Sequence, residues 1–294
     1  MDSTLTDNRV KLIFQEMRET INSIVAMLEK QNGLPADPES PDNEKMREGL
    51  QDSVNAYFRK VRDAFPYSRL GPIYNRHIKE SVEGDVRKIL DPILVTFGPE
   101  LESLLYDEAI LAYLAGSAQM ITYGETKLGI PIAYEGPPMD EAINYARQHV
   151  TRAKLVDGIN LETRKQISNI IERGIANKRG IPGIARDIRQ SFDWMIKGRS
   201  ELGITHQARS LMIARTETCE ALQQAFLDRA KEMGIEYKEW VVQSGAPCPE
   251  CQDNDGAIVK MDEAFPTGVY RPPQHPNCMC ACVASRKEYI KKAS

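Results

Sequence analysis

The first 218 residues of this 294-residue chain contain no cysteine. Disulfides cannot staple that part, and sulfur chemistry is confined to the C-terminal quarter. A large net charge is lacking too. The 38 Lys+Arg against 42 Asp+Glu leave −4, too little for a global field that gathers nucleic acid or anionic membrane. Long apolar runs are missing: the most apolar stretch, Ala109 to Ile121, includes Gly116, Ser117 and Gln119 and is too short to span a bilayer. The N-terminus, Met1-Asp-Ser-Thr-Leu-Thr-Asp, has neither the basic nor the apolar region of a signal peptide, so a reducing cytoplasm is the expected compartment. There is no solenoid-period repeat, no Gly-rich phosphate loop and no His-Glu-x-x-His helix. What is present, 41% hydrophobic and 27% charged residues, excludes wholesale disorder and suffices for two domains.

Helical periodicity dominates. Phe14, Met17, Ile21, Ile24 and Leu28 form one apolar stripe, which Gly33 and Pro35 end. Gly33 to Asn43, with prolines 35, 38 and 41 among acids, reads as an exposed linker. Asp91-Pro92 and Gly98-Pro99 read as helix starts. A long helix over about Glu100 to Tyr123 is expected to turn Leu101, Leu104, Leu105, Glu108, Leu111 and Leu114 to a core. Further helices are predicted over Glu141 to Val150 and over Thr163 to Lys178 with Thr163 as N-cap. Ile184, Ile188 and Phe192 continue a stripe, and a helix over about Thr205 to Met233 is expected to bury Cys219, Leu222, Phe226 and Met233 before Gly234 ends it. The rhythm then changes to two around Lys238, Trp240 and Val242, the mark of a strand. The expected architecture is mainly α: an elongated helical body with a small C-terminal α+β unit. Its divisions are 1–70, a helical segment with the acidic linker; 71–200, a helical domain; and 201–294, the module that carries the cysteines.

Five of the six cysteines fall in the last 47 residues, beside one histidine. They read Cys248-Pro-Glu-Cys251, then His275-Pro-Asn-Cys278-Met-Cys280-Ala-Cys282. A Cys-x-x-Cys pair puts two sulfurs on one turn, and a second His/Cys group supplies the rest of a tetrahedral shell. The spacing points to a structural zinc that staples a segment poor in large apolar residues. The candidate ligands are Cys248, Cys251, His275, Cys278 and Cys280, with Cys280 the rival of Cys278 for the fourth place. On a strand, Cys278, Cys280 and Cys282 would face one way. Packed free thiols or disulfides are the alternative. The order, cysteine pair before histidine and Asn277 where a deaminase carries Glu, argues against a nucleobase deaminase.

Two other features carry charge. On the long helix, Arg215 and Glu217 of Ile213-Ala-Arg-Thr-Glu-Thr218 are read as orienting the C-terminal unit, since no phosphate loop supports nucleotide handling. Between Thr163 and Arg199 nine bases against three acids give +6 locally. Arg173, Lys178, Arg179, Arg186 and Arg189 are the candidate contacts to a DNA backbone. A merely solvated helix face is the competing reading, and no interleaved aromatics suggest base stacking.

Ile213-Ala-Arg-Thr-Glu-Thr218, Trp240, Cys248-Pro-Glu-Cys251, Gly256 and Pro272-Pro-Gln-His-Pro-Asn-Cys-Met-Cys280 together resemble phage Mu F-type minor head proteins, the head-morphogenesis proteins of tailed bacteriophages. The resemblance is specific from about Arg209 to Val283 and weaker from Pro138, and residues before roughly 130 carry no assignable motif. Where the family has a basic residue after the His-Pro-Asn-Cys cysteine this chain has Met279, and Cys282 is an extra cysteine. The resemblance implies a virion protein of few copies, inside the head near the portal vertex and in the host cytoplasm during assembly. It implies the portal protein as partner, with scaffold or major capsid protein and packaged DNA as further partners, and no membrane. It also implies no enzymatic activity; some relatives are fused to toxin domains, for which no room is expected beyond Ser294. A zinc-containing nucleic-acid-binding module and a metallo-enzyme are the alternative functions.

Overall fold

The computed structural model describes residues 36–37, 39–76, 82–130, 137–152, 155–192, 206–242 and 249–286. The stripe from Phe14 to Leu28 lies outside them. The described residues fall into two units. Unit 1 holds those of 1–48, 108–146 and 215–294, and unit 2 those of 49–107 and 147–214. This interleaving differs from the linear succession read from the sequence, because three helices are long enough to supply both units.

Unit 2 is helical. It contains most of α1 (Pro41–Ala64), a 3₁₀ turn at Tyr67–Arg69, α2 (Leu70–Arg76) and the first half of α3 (Glu83–Thr126). After α4 of unit 1 (Met139–Ala146) it continues with a π-helical stretch at Arg147–Arg152, α5 (Leu155–Ala176), α6 (Ile181–Phe192) and the start of α7 (His206–Glu232). Ile184, Ile188 and Phe192 are buried, as their spacing predicts. They pack α6 onto α5 so closely that a Cβ on Gly174 would stand 2.5 Å from Ile184 Cγ1.

Two expectations fail in this unit. Pro92 and Pro99 do not start helices but sit inside the single helix α3. Both are exposed, as are Lys88 and Val95, whose carbonyls the prolines leave without an intrahelical partner, so water can satisfy them. Thr163 is not an N-cap either. It lies two turns inside α5, fully buried, where its hydroxyl donates to the Ile159 carbonyl at 2.8 Å and accepts from Arg209 at 3.1 Å. The second arm of the Arg209 guanidinium donates to the Ile159 carbonyl at 3.1 Å, and burial lowers its pKa to about 10.

Unit 1 joins the second half of α3, α4 and most of α7 to a three-stranded antiparallel sheet of order β2-β1-β3. The strands are β1 (Tyr237–Val241), β2 (Ile258–Lys260) and β3 (Ala281–Ser285). Tyr237 pairs with Lys260 on one side and Ser285 on the other, while Val241 meets Ala281. Helices α3 and α7 touch backbone to backbone: a Cβ on Gly116 would lie 2.3 Å from the Leu222 carbonyl oxygen. Cys219, Leu222 and Phe226 form the buried face of α7, and Gly234 ends the turn after it at φ 74°.

The alternation in β1 sends Lys238 and Trp240 inward. Trp240 meets Phe265 edge to face with centroids 5.1 Å apart. The Lys238 ammonium donates to the Tyr270 carbonyl at 2.6 Å and lies over the rings of Phe265 and Tyr270, and desolvation lowers its pKa.

Of the stretch expected to be an exposed linker, several described residues are instead buried. Ala36, Asp37, Ser40 and Asn43 are buried. Prolines remove backbone donors from this strap, and the groups that remain find side chains. Ala36, at φ 53°, donates its N–H to Gln119 Oε1 at 2.6 Å and accepts from Gln223 Nε2 at 2.8 Å. Gln119 donates to Asn43 Oδ1 at 2.7 Å, and Asn43 donates to the Asp37 carbonyl at 2.6 Å.

Candidate metal centre

Cys251 lies on a single helical turn, α8 (Pro249–Gln252), within the excursion between β1 and β2. Its turn is fixed by Asn254, which is fully buried. The Asn254 amide donates to Thr267 Oγ1 at 2.7 Å and Gln274 Oε1 at 3.0 Å, and its oxygen accepts the Thr267 N–H at 3.1 Å. Gln274 in turn donates to the Glu250 carbonyl at 3.0 Å. The cysteine turn and the loop that leads to His275 are thus locked together. Sequence reasoning missed this hub; its only trace was the Asn254-Asp-Gly256 turn.

The second half of the centre is the turn His275-Pro276-Asn277-Cys278. It closes with the Cys278 N–H on the His275 carbonyl at 3.1 Å and places Asn277 at φ 64°, a region asparagine tolerates better than most residues. The Asn277 N–H donates to Thr216 Oγ1 at 3.0 Å, and Arg215 donates to Asn277 Oδ1 at 3.1 Å. Arg215 on α7 thus holds the C-terminal unit, as the sequence suggested.

Cys251, Cys278 and Cys280 are buried, with their sulfurs within 4.8 Å of one another. Cys251 Sγ is 3.8 Å from Cys278 Sγ and 3.4 Å from His275 Nε2. A tetrahedral zinc with Zn–S bonds of about 2.3 Å sets sulfurs roughly 3.8 Å apart, and sulfur and imidazole nitrogen about 3.6 Å apart. The two measured edges fit that shell. His275 Nδ1 lies 2.9 Å from the Pro276 carbonyl, which only accepts, so Nδ1 carries the proton and Nε2 turns its lone pair toward the sulfurs. A hydrogen bond from Cys280 lowers the pKa of the Cys278 thiol, while the same contact raises that of Cys280. Thiol protons would leave on binding of a cation.

Of the predicted ligands, the structure brings together Cys251, His275, Cys278 and Cys280, and Cys248 lies outside the described residues. The three late cysteines do not share a strand face, because β3 begins only at Ala281. Cys278 and Cys280 precede it, whereas Cys282 lies in β3 opposite Trp240, buried, outside the sulfur group and with its pKa raised by burial. Its backbone N–H donates to Gln223 Oε1 at 2.9 Å. Below the centre, Arg271 forks onto Glu220 at 2.6 and 2.7 Å; burial opposes its charge, but this pair raises its pKa.

The candidate DNA contacts Arg173, Lys178, Arg179, Arg186 and Arg189 are all exposed around the α5–α6 hairpin. They are not equivalent. Arg179 pairs with the buried Asp187 at 2.7 Å, and Arg189 stacks 4.0 Å above the Tyr67 ring. Lys178 and Arg186 have no ion pair among the described residues.

Residues 165–283 match the family model described as Phage Mu protein F like protein, a span that holds Arg215, Asn254 and the whole centre. No curated protein and no solved structure matches the chain. No helix among the described residues is long and apolar enough to cross a membrane.

Proposed function

We propose that this phage Mu F-like head-morphogenesis protein is a minor component of a tailed-phage head that docks on the portal inside the capsid. The family match over residues 165–283 supports the head assignment. The single observation that carries the mechanical reading is the shell of Cys251, His275, Cys278 and Cys280, all on short turns tied to α7 and the sheet. These residues would hold a structural zinc, whose chemistry is to fix four ligands and replace an apolar core. The centre is structural and not catalytic: the three sulfurs are buried, and four protein ligands leave no position for substrate. The rigid unit then serves as a docking module on portal, scaffold or major capsid protein. Co-sedimentation of the full chain with portal rings tests this, and a chain left in the supernatant under assembly conditions sinks it. Elemental analysis is expected to find one zinc per chain.

A second reading, contact with packaged DNA, is favoured by Lys178 and Arg186 on the exposed hairpin, which have no ion pair among the described residues. Such contact would be to phosphate and weak, and would fade with salt.

A further inference from the structure

We propose that the buried strap at residues 36–43 and the metal centre are one coupled device, so that docking of the strap tightens the metal site and metal binding locks the strap. The inference rests on the zinc reading above and concerns what this chain's own residues do around that ion. Two chains of contact join the partners. In the first, Glu39 Oε1 stands 3.0 Å from Arg215 Nε, and Arg215 reaches Asn277 Oδ1 at 3.1 Å. Asn277 is the hinge of the turn whose ends are the ligands His275 and Cys278, so a grip on Asn277 sets both at once. In the second, one glutamine bridges the strap and β3: Gln223 Nε2 donates to the Ala36 carbonyl, and Gln223 Oε1 accepts the N–H of Cys282, two residues beyond Cys280.

The charges make the first chain directional. Glu39 acts on Arg215 through charge alone, since neither Glu39 Oε1 nor Arg215 Nε has a hydrogen-bond partner among the described residues, and Arg47 Nη1 stands 3.2 Å from the same oxygen. With the strap out, Arg215 loses that partner and can swing off Asn277. With the ligand turn loose, Arg215 loses its other anchor. Each event weakens the other, and thermodynamic reciprocity requires the same factor in both directions. Arg215 is therefore a positioning residue for the metal turn, and residues before 36 are attached to an element that reports on the centre.

The test uses the full-length chain, with zinc affinity read by chelator competition and strap order by hydrogen exchange over residues 36–43. Glu39→Gln and Arg215→Gln are each expected to weaken zinc by about fivefold or more, with the double variant no weaker than the stronger single. Stripping zinc from the wild type should speed exchange in the strap, and should no longer do so in Arg215→Gln. A wild-type chain that binds zinc but whose variants stay within about twofold of it, with strap exchange indifferent to zinc, overturns the coupling alone. A wild-type chain that binds no zinc overturns the zinc reading and the coupling with it.

Discussion

The two units bury different things. Unit 2 is built on aliphatic stripes such as Val86, Leu90, Ile167, Ile170 and Ile188, each on a helix that buries one face. Between Tyr237 and Arg286, unit 1 has no leucine and a single isoleucine, Ile258, which is only half-buried. In their place it buries Trp240, Phe265, Cys251, Cys278, Cys280 and Cys282, with Asn254 as a polar hub. Helices can bury stripes by periodicity alone; this segment must fix turns, and turns offer little apolar area. Side-chain hydrogen bonds and packed sulfurs do there what methyl groups do in unit 2.

The sharpest way to break this contrast is to disable the proposed metal centre. Cys251→Ser with Cys278→Ser, or chelation, is expected to cost the C-terminal unit about 10 kcal/mol, the scale of a structural zinc in a small unit. Amides of β1 and β3 should lose protection while those over Ile167–Ile171 keep theirs. Loss of protection in both places at once would show that the two cores are not independent.

The reciprocal cut is Ile188→Ala. It leaves a cavity in the α5–α6 packing and should take about 3 kcal/mol from unit 2. Zinc stoichiometry is expected not to change. A chelation-like loss of metal in this variant would erase the distinction between the units. Gly116→Ala has a smaller effect on unit 1, about 2 kcal/mol in thermal or denaturant unfolding, because the new Cβ would press on the Leu222 carbonyl and part of the strain is relieved by helix shift.

How much of this was legible in the sequence follows from the same contrast. Where burial is periodic, as on α7, in the Ile184–Phe192 stripe and in the alternation of β1, spacing alone located the core face. Pro92 and Pro99 misled because breakers are tolerated wherever the orphaned carbonyl meets water, and exposure is a tertiary fact. Thr163 misled because its hydroxyl is satisfied by the turn before it and by Arg209, from a distant part of the chain. The strap misled most. Its proline-rich, acidic composition is that of a linker, and the groups that satisfy Ala36 are Gln119 and Gln223, far along the chain. At the centre, residue types and spacing announced a group of ligand side chains; which late cysteines join it depends on where β3 starts, which spacing does not set.

The smallest expected effect concerns the surface of unit 2, where the five exposed cations differ in what they already bind. Arg179 and Arg189 are engaged by Asp187 and Tyr67, so phosphate would have to compete for them. Lys178 and Arg186 have no such competitor among the described residues. If the hairpin meets DNA, Lys178→Ala with Arg186→Ala should flatten the log–log salt dependence of binding by about 1.8, two phosphate contacts' worth, with no change in unfolding temperature. Arg179→Ala should instead register mainly as lost stability, since it leaves a buried carboxylate without its partner. Equal slopes for wild type and the double variant would remove phosphate contact from the account of unit 2, and the basic hairpin would then be a solvated face whose charges serve the fold alone.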